Sequence, residues 1–168
     1  MRRLLFPIVF LFGVTAALAQ GAGGDPLSEL KFLMGDWVAD GPASAGTGHF
    51  EFTSDVQGKV LIRHNHAEIP AAKPKPAVPH DDIMMIYSEG MVRATYVDSE
   101  GHVIRYTLTP GPADTATFVS EAAPGTPRFR LSYRKLPDGR LGGKFELAPP
   151  DKPEEFKAYL EWTAKRKS

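Results

Sequence analysis

The chain is 168 residues long, 42% hydrophobic and 24% charged, with twenty Lys and Arg against twenty Asp and Glu, which is the composition of one ordinary globular domain rather than of a disordered tail or a coiled coil. A formal charge of zero removes the basic excess that a binder of phosphate backbone carries, so no nucleic-acid role is read. Cysteine is absent, which excludes a disulfide, a thiolate metal site and a catalytic thiol.

Met1 to Ala19 reads as a secretory signal peptide. Arg2 and Arg3 form its charged start, Leu4 to Val14 its apolar stretch, and Ala17-Leu18-Ala19 a small-residue cleavage site before Gln20. The apolar part is well short of the roughly 20 residues that a spanning helix needs, and no later stretch is long enough, so no membrane span is predicted. The two arginines lack the surroundings of a twin-arginine signal, and ordinary unfolded export to the periplasm or the exterior is expected. Residues 1–19 are therefore set aside as the signal, and 20–168 form the domain.

Asp25-Pro26-Leu27-Ser28-Glu29-Leu30 carries a helix start, with Asp25 placed to accept from free backbone donors and Pro26 at the first helical position. One helix of about two turns is predicted, ending near Met34 and Gly35. From there the period changes to two. Strands are predicted over Trp37–Ala39, His49–Thr53, Lys59–Glu68, Ile83–Tyr87, Val92–Val97, Val103–Thr109, Thr115–Ser120, Phe129–Lys135 and Leu141–Leu147. Between them lie turns such as Ser88-Glu89-Gly90, Asp98 to Gly101 and Pro137-Asp138-Gly139. Pro70 to Pro79, rich in proline, is read as a loop because proline cannot donate to a sheet ladder. Pro153 to Arg166 fits a helix by one spacing and a strand by another. The strand is preferred because a barrel needs a last strand to cover its first edge. Nine or ten strands with hairpin-length turns and a single helix predict an all-β, antiparallel up-and-down barrel.

Gly35-Asp36-Trp37, directly after the short helix and at the opening of the first strand, resembles the Gly-x-Trp signature of the calycin superfamily, which includes lipocalins and nitrobindin-like barrels. Phe32 to Trp37 together with Tyr96 to His102 also resembles lipocalin-like bacterial domains exported with a signal peptide. The resemblance implies a calycin-like barrel with Trp37 plugging one end, Gly35 allowing the tight entry, and a basic residue near the end of the last strand lying across the tryptophan. Arg166 or Lys165 occupies that position. Nitrobindin-like relatives bind haem through a histidine close to the carboxyl terminus. The last histidine here is His102, so haem ligation is not carried over and no cofactor is predicted.

His64-Asn65-His66-Ala67-Glu68 places two imidazoles and a carboxylate on one face of a strand, a set able to meet a metal or a polar ligand. If Val60 and Ile62 mark the inward face, all three lie in the lumen; if Leu61 and Ala67 do, they lie in water. The lumen assignment is the one taken for His64, His66 and Glu68. No metal site is assigned, because two histidines alternating on a strand are not by themselves a zinc signature, and His64 and His66 stand only as weak candidates. His80-Asp81-Asp82 reads as a polar turn before a strand, and Asp98 to His102 as a hairpin. Alternation points Phe50 and Phe52, Val92, Ala94 and Tyr96, Ile104, Tyr106 and Leu108, Phe129, Leu131 and Tyr133, and Leu141, Phe145 and Leu147 inward. The hydroxyls of Tyr96, Tyr106 and Tyr133 are then available to a ligand, and Ala94 and Gly143 leave space beside the aromatics. Arg128, Arg130 and Arg134 fall on the outer face of their strand.

There is no Gly-x-Ser-x-Gly elbow, His-Glu-x-x-His helix or glycine-rich phosphate loop, and the catalytic residues are unknown. The reading is an exported binding barrel, rather than an enzyme, that holds a small hydrophobic or amphipathic molecule in its interior. The alternatives are a lyase, isomerase or hydrolase using His64, His66 and Glu68, or a solid barrel that meets another protein.

Overall fold

The computed structural model describes residues 24–42, 47–69 and 78–168. The signal peptide read over residues 1–19 lies outside them, as does the body of the proline loop, residues 70–77. Ten strands follow a short amino-terminal turn of helix: β1 (Gly35–Ala39), β2 (Thr47–Asp55), β3 (Val60–Ile69), β4 (Val78–Glu89), β5 (Met91–Asp98), β6 (Val103–Thr109), β7 (Thr115–Ser120), β8 (Arg128–Lys135), β9 (Leu141–Ala148) and β10 (Lys157–Arg166). Each pairs antiparallel with the next, and β10 returns to β1, so the sheet closes into an up-and-down barrel without a free edge. Of Pro153 to Arg166, the part from Lys157 onward is a strand as preferred, with an irregularity in register between Ala158 and Leu160, and the four residues before it are not. No helix among the described residues is long and apolar enough to cross a membrane.

The amino-terminal segment is a 3-10 helix over Ser28–Leu33 rather than an α-helix. The apolar spacing explains the difference. Leu27, Leu30 and Leu33 recur every third residue, fall on one face of a helix with three residues per turn, and are all buried. Asp25 accepts from the backbone N–H of Leu27, as the sequence suggested. This helix caps the end of the barrel at which β1 begins, hereafter the closed end.

Trp37 completes the cap. Its ring is buried and stacks with Phe50, its indole N–H donates to the Leu33 carbonyl at 2.7 Å, and the Arg166 guanidinium lies 4.1 Å above the ring. Arg166 also donates to the Met34 carbonyl. A side chain at Gly35 would collide with that guanidinium, and its φ of +101° disfavours any other residue.

The inward faces read from alternation hold for Phe50 and Phe52, Ala94, Tyr106, Leu131, Tyr133 and Leu141, all buried, with Tyr96, Ile104, Leu108, Phe129 and Phe145 packed against them. Several contacts cross the lumen. Tyr133 on β8 lies 5.6 Å from Phe52 and 6.5 Å from Phe50 on β2, so the middle of the barrel is filled. The space beside Gly143 is occupied as well. The Trp162 ring of β10 lies flat on that glycine, where a Cβ would overlap it. On the outer face of β8, Arg128 and Arg130 sit over the Phe156 ring at 5.7 and 4.3 Å, and Arg130 pairs with Glu146.

Two readings are corrected. On β3 the buried members are Leu61 and Arg63, so His64, His66 and Glu68 project outward and not into the lumen. The local pattern misleads because this strand carries apolar Val60 and Ile62 on its outer face and charged Arg63 on its inner one. His80-Asp81-Asp82 is not a turn. It lies within β4, where His80, Asp82, Met84 and Ile86 form the inward row.

Candidate functional site at the open end

At the end of the barrel opposite the helical cap, termed the open end, β3 and β5 finish and β4, β6 and β8 begin; residues 43–46 and 70–77, which join strands at this end, are not among those described. Here β3, β4 and β5 place polar side chains on their inner faces at successive registers. Arg63 pairs across to Met84, which pairs with Tyr96, and Asp82 pairs with Asp98. The result is a polar wall facing the apolar strands β8 to β10.

The deepest member is Arg63. Its guanidinium is buried, donates to Asp82, and reaches across the lumen to donate to the Tyr133 hydroxyl. Asp82 also accepts from the Asn65 amide at 2.9 Å. Burial disfavours the Arg63 charge, but Tyr133 and Asp82 outweigh it and hold the guanidinium protonated. Among the described residues the Arg63 Nε has no hydrogen-bond partner. Burial likewise drives the Tyr133, Tyr106 and Tyr96 hydroxyls above their ordinary range, so all three remain neutral donors.

Nearer the rim, Asp82 leads to His80, whose Nε2 lies 3.4 Å from Asp82 Oδ2 and 3.2 Å from the Tyr96 hydroxyl. Tyr96 donates to Asp98 Oδ2 at 3.2 Å, and the His102 Nδ1 lies 2.9 Å from the same oxygen. Asp98 Oδ1 accepts from the backbone N–H groups of Glu100 and His102, which builds the hairpin between β5 and β6 around its carboxylate. Burial works to raise the Asp98 pKa. The bonds from the His102 backbone and ring and from the Glu100 backbone override it, and the net direction is down.

The facing wall is apolar. Phe129 and Phe145 stack at 5.8 Å, Tyr159 meets Phe145 edge-on, and Leu160 is half exposed. Ile104 and Trp162, partly buried, continue the surface.

Tyr96, Tyr106 and Tyr133 therefore lie in the lumen, as alternation indicated, with Tyr96 nearest the rim. His64 and His66 border a groove of about 490 Å³ on the outside of β2 to β5, and Glu68 lies exposed beyond it on the same strand. There His66 bonds to Asp81 at 2.7 Å and pairs with Glu68 at 3.5 Å, while its ring lies 5.5 Å from His49. Sequence reasoning missed Arg63 and Asn65 altogether and did not join His80 to Asp98 and Glu100, because those pairings arise from strand register and not from spacing along the chain.

The bond to Asp81 raises the His66 pKa, with Glu68 adding to the effect, against the opposing pull of burial. In an NMR titration the His66 ring should therefore change state above its ordinary value of about 6.5, and Asp81→Asn should bring it back. The sign follows directly. Stabilisation by the charged pair is complete below the ordinary value and fades as the pH rises through the raised one. An unshifted His66 would show that the bond to Asp81 does not persist in solution.

No family model matches the chain, and no curated protein matches it either.

Proposed function

We propose that the chain is an exported, calycin-like barrel that binds one small amphipathic molecule at its open end. The observation that carries this reading is the division of the mouth into two walls. Partly buried rings of Phe129 and Phe145, with the more exposed Leu160 and Tyr159, face a polar row that ends in Asn65, Tyr96 and His80. An apolar body would lie against the rings, and a polar headgroup would meet donors and acceptors already held in place. A guest in the middle of the lumen has less support, since Arg63, Tyr133, Phe50 and Phe52 occupy that level. The superfamily assignment rests on the capping helix, Gly35-Asp36-Trp37 and the Arg166 guanidinium over Trp37. Export rests on Met1 to Ala19.

The test uses N-phenyl-1-naphthylamine, whose fluorescence rises in an apolar site. The mature protein should bind it saturably, with one site per chain. Phe145→Asp should weaken binding about tenfold or more, because an aromatic contact is worth about 1.5–3 kcal/mol when buried. The outward His64→Ala, His66→Ala double variant should bind as the wild type does. A signal that does not saturate, or that survives Phe145→Asp unchanged, would overturn the proposal in favour of a solid barrel. Export is checked separately: the secreted chain should begin at Gln20.

A further inference from the structure

We infer that the open rim also carries a site for one divalent transition-metal ion, formed by His80, Asp98 and Glu100. One ligand atom from each of these residues lies within 4.8 Å of the others. His80 comes from the inner face of β4, Asp98 from the end of β5, and Glu100 from the turn that follows. The His80 Nδ1 and Glu100 Oε1 are 3.1 Å apart, a fitting separation for two donors that each bind one ion at about 2.0–2.2 Å.

The hydrogen-bond chemistry around His80 suits a cation at this point. The single Tyr96 proton goes to Asp98, whose carboxylate can only accept, so the Tyr96 oxygen is left to accept from the His80 Nε2. Asp82, on the same side of the ring, is a second acceptor for that Nε2–H. A neutral imidazole has no other proton. With its proton on Nε2, the Nδ1 lone pair faces the Glu100 carboxylate at 3.1 Å, acceptor against acceptor, a contact that a cation or a second proton relieves. An ion bound to Nδ1 and Glu100 is such a cation and leaves the Nε2–H oriented by Asp82, which Arg63 and Asn65 fix in turn. This is the carboxylate–histidine–metal relay that sets the tautomer of many ligating histidines.

Charge points the same way. The Asp82 carboxylate is balanced by Arg63, but Asp98 and Glu100 pair only with histidines among the described residues. Imidazole with two carboxylates suits zinc and its neighbours better than calcium or magnesium. The His102 Nδ1, 3.7 Å from Glu100 Oε2 and close to Asp98, lies at the flank of the site.

The inference does not depend on an amphipathic ligand, and its test uses zinc alone. In calorimetric titration of the mature protein with zinc chloride, one ion per chain should bind. Glu100→Gln, an exposed change that keeps the shape of the turn, should weaken binding about tenfold or more, and His80→Ala should abolish it. His66→Ala removes the histidine that Asp81 and Glu68 hold on the outer groove and should leave affinity unchanged. Circular dichroism of each variant confirms that the barrel is retained. Failure of the wild type to bind zinc, wild-type affinity in Glu100→Gln or His80→Ala, or loss of binding in His66→Ala would each overturn the site. The last result would move the metal to the outer groove, and the first would mean that a second proton on His80 meets Glu100 instead.

Discussion

Asp82→Ala should lower the free energy of unfolding by about 3–5 kcal/mol, the usual cost of removing one partner from a buried ion pair. The loss arises less from the missing attraction than from what remains. Arg63 would keep its charge inside the barrel, where Tyr133 is its only other hydrogen-bond partner among the described residues. The Asn65 amide would lose its acceptor as well. The double variant Arg63→Met, Asp82→Leu should recover most of that stability, since well-packed apolar residues commonly replace a buried pair at little cost. Urea unfolding curves of the two variants test the pair. If Asp82→Ala left the midpoint unchanged, the buried ion pair would not exist in solution. A stable double variant has a further use, because it would show whether the polar network serves binding at the mouth rather than folding.

Trp37→Ala should cost about 3–5 kcal/mol, the range for deleting a large buried aromatic side chain. Three interactions are lost together: the stack on Phe50, the bond to the Leu33 carbonyl, and the platform on which Arg166 lies. The last of these links the first strand to the last, so thermal unfolding should be affected more than for an interior ring of like size. Arg166→Ala should cost less, because the guanidinium is exposed and its contact with the ring is worth about 0.5–1 kcal/mol. An unchanged midpoint in Trp37→Ala would refute the plug.

The barrel was legible in the sequence because period-two alternation survives wherever one face is apolar and the other polar. Phe50 and Phe52, or Phe129, Leu131 and Tyr133, are such rows, and their directions could be assigned without knowledge of their partners. The strand β3 has no such contrast. Its inner row contains Arg63 and Asn65, which read as solvent-facing until Asp82 and Tyr133 are brought beside them by the register of β3 with β4 and by closure across the lumen. The polar site was illegible for the same reason. His80 was read with its neighbours in sequence, whereas Tyr96, Asp98 and Glu100 meet it from the next hairpin. A histidine two residues before a buried aspartate on an inward row is the signal that would have placed it in the mouth, but it becomes visible only once Met84 and Ile86 fix the inward face of β4.

The seam between β1 and β10 joins the first strand to the last through three residue pairs, Trp37 with Arg166, Val38 with Lys165 and Ala39 with Ala164. Every other ladder links neighbours in sequence and can form as the chain emerges, but this one must await the final residues, because contacts of such long sequence separation carry the largest loop-closure cost. Until β10 docks, β1 and β9 both present unpaired backbone groups. Closure is therefore the last step, and a chain in which β10 fails to dock keeps two bare strand edges to which a second copy can add its own strands.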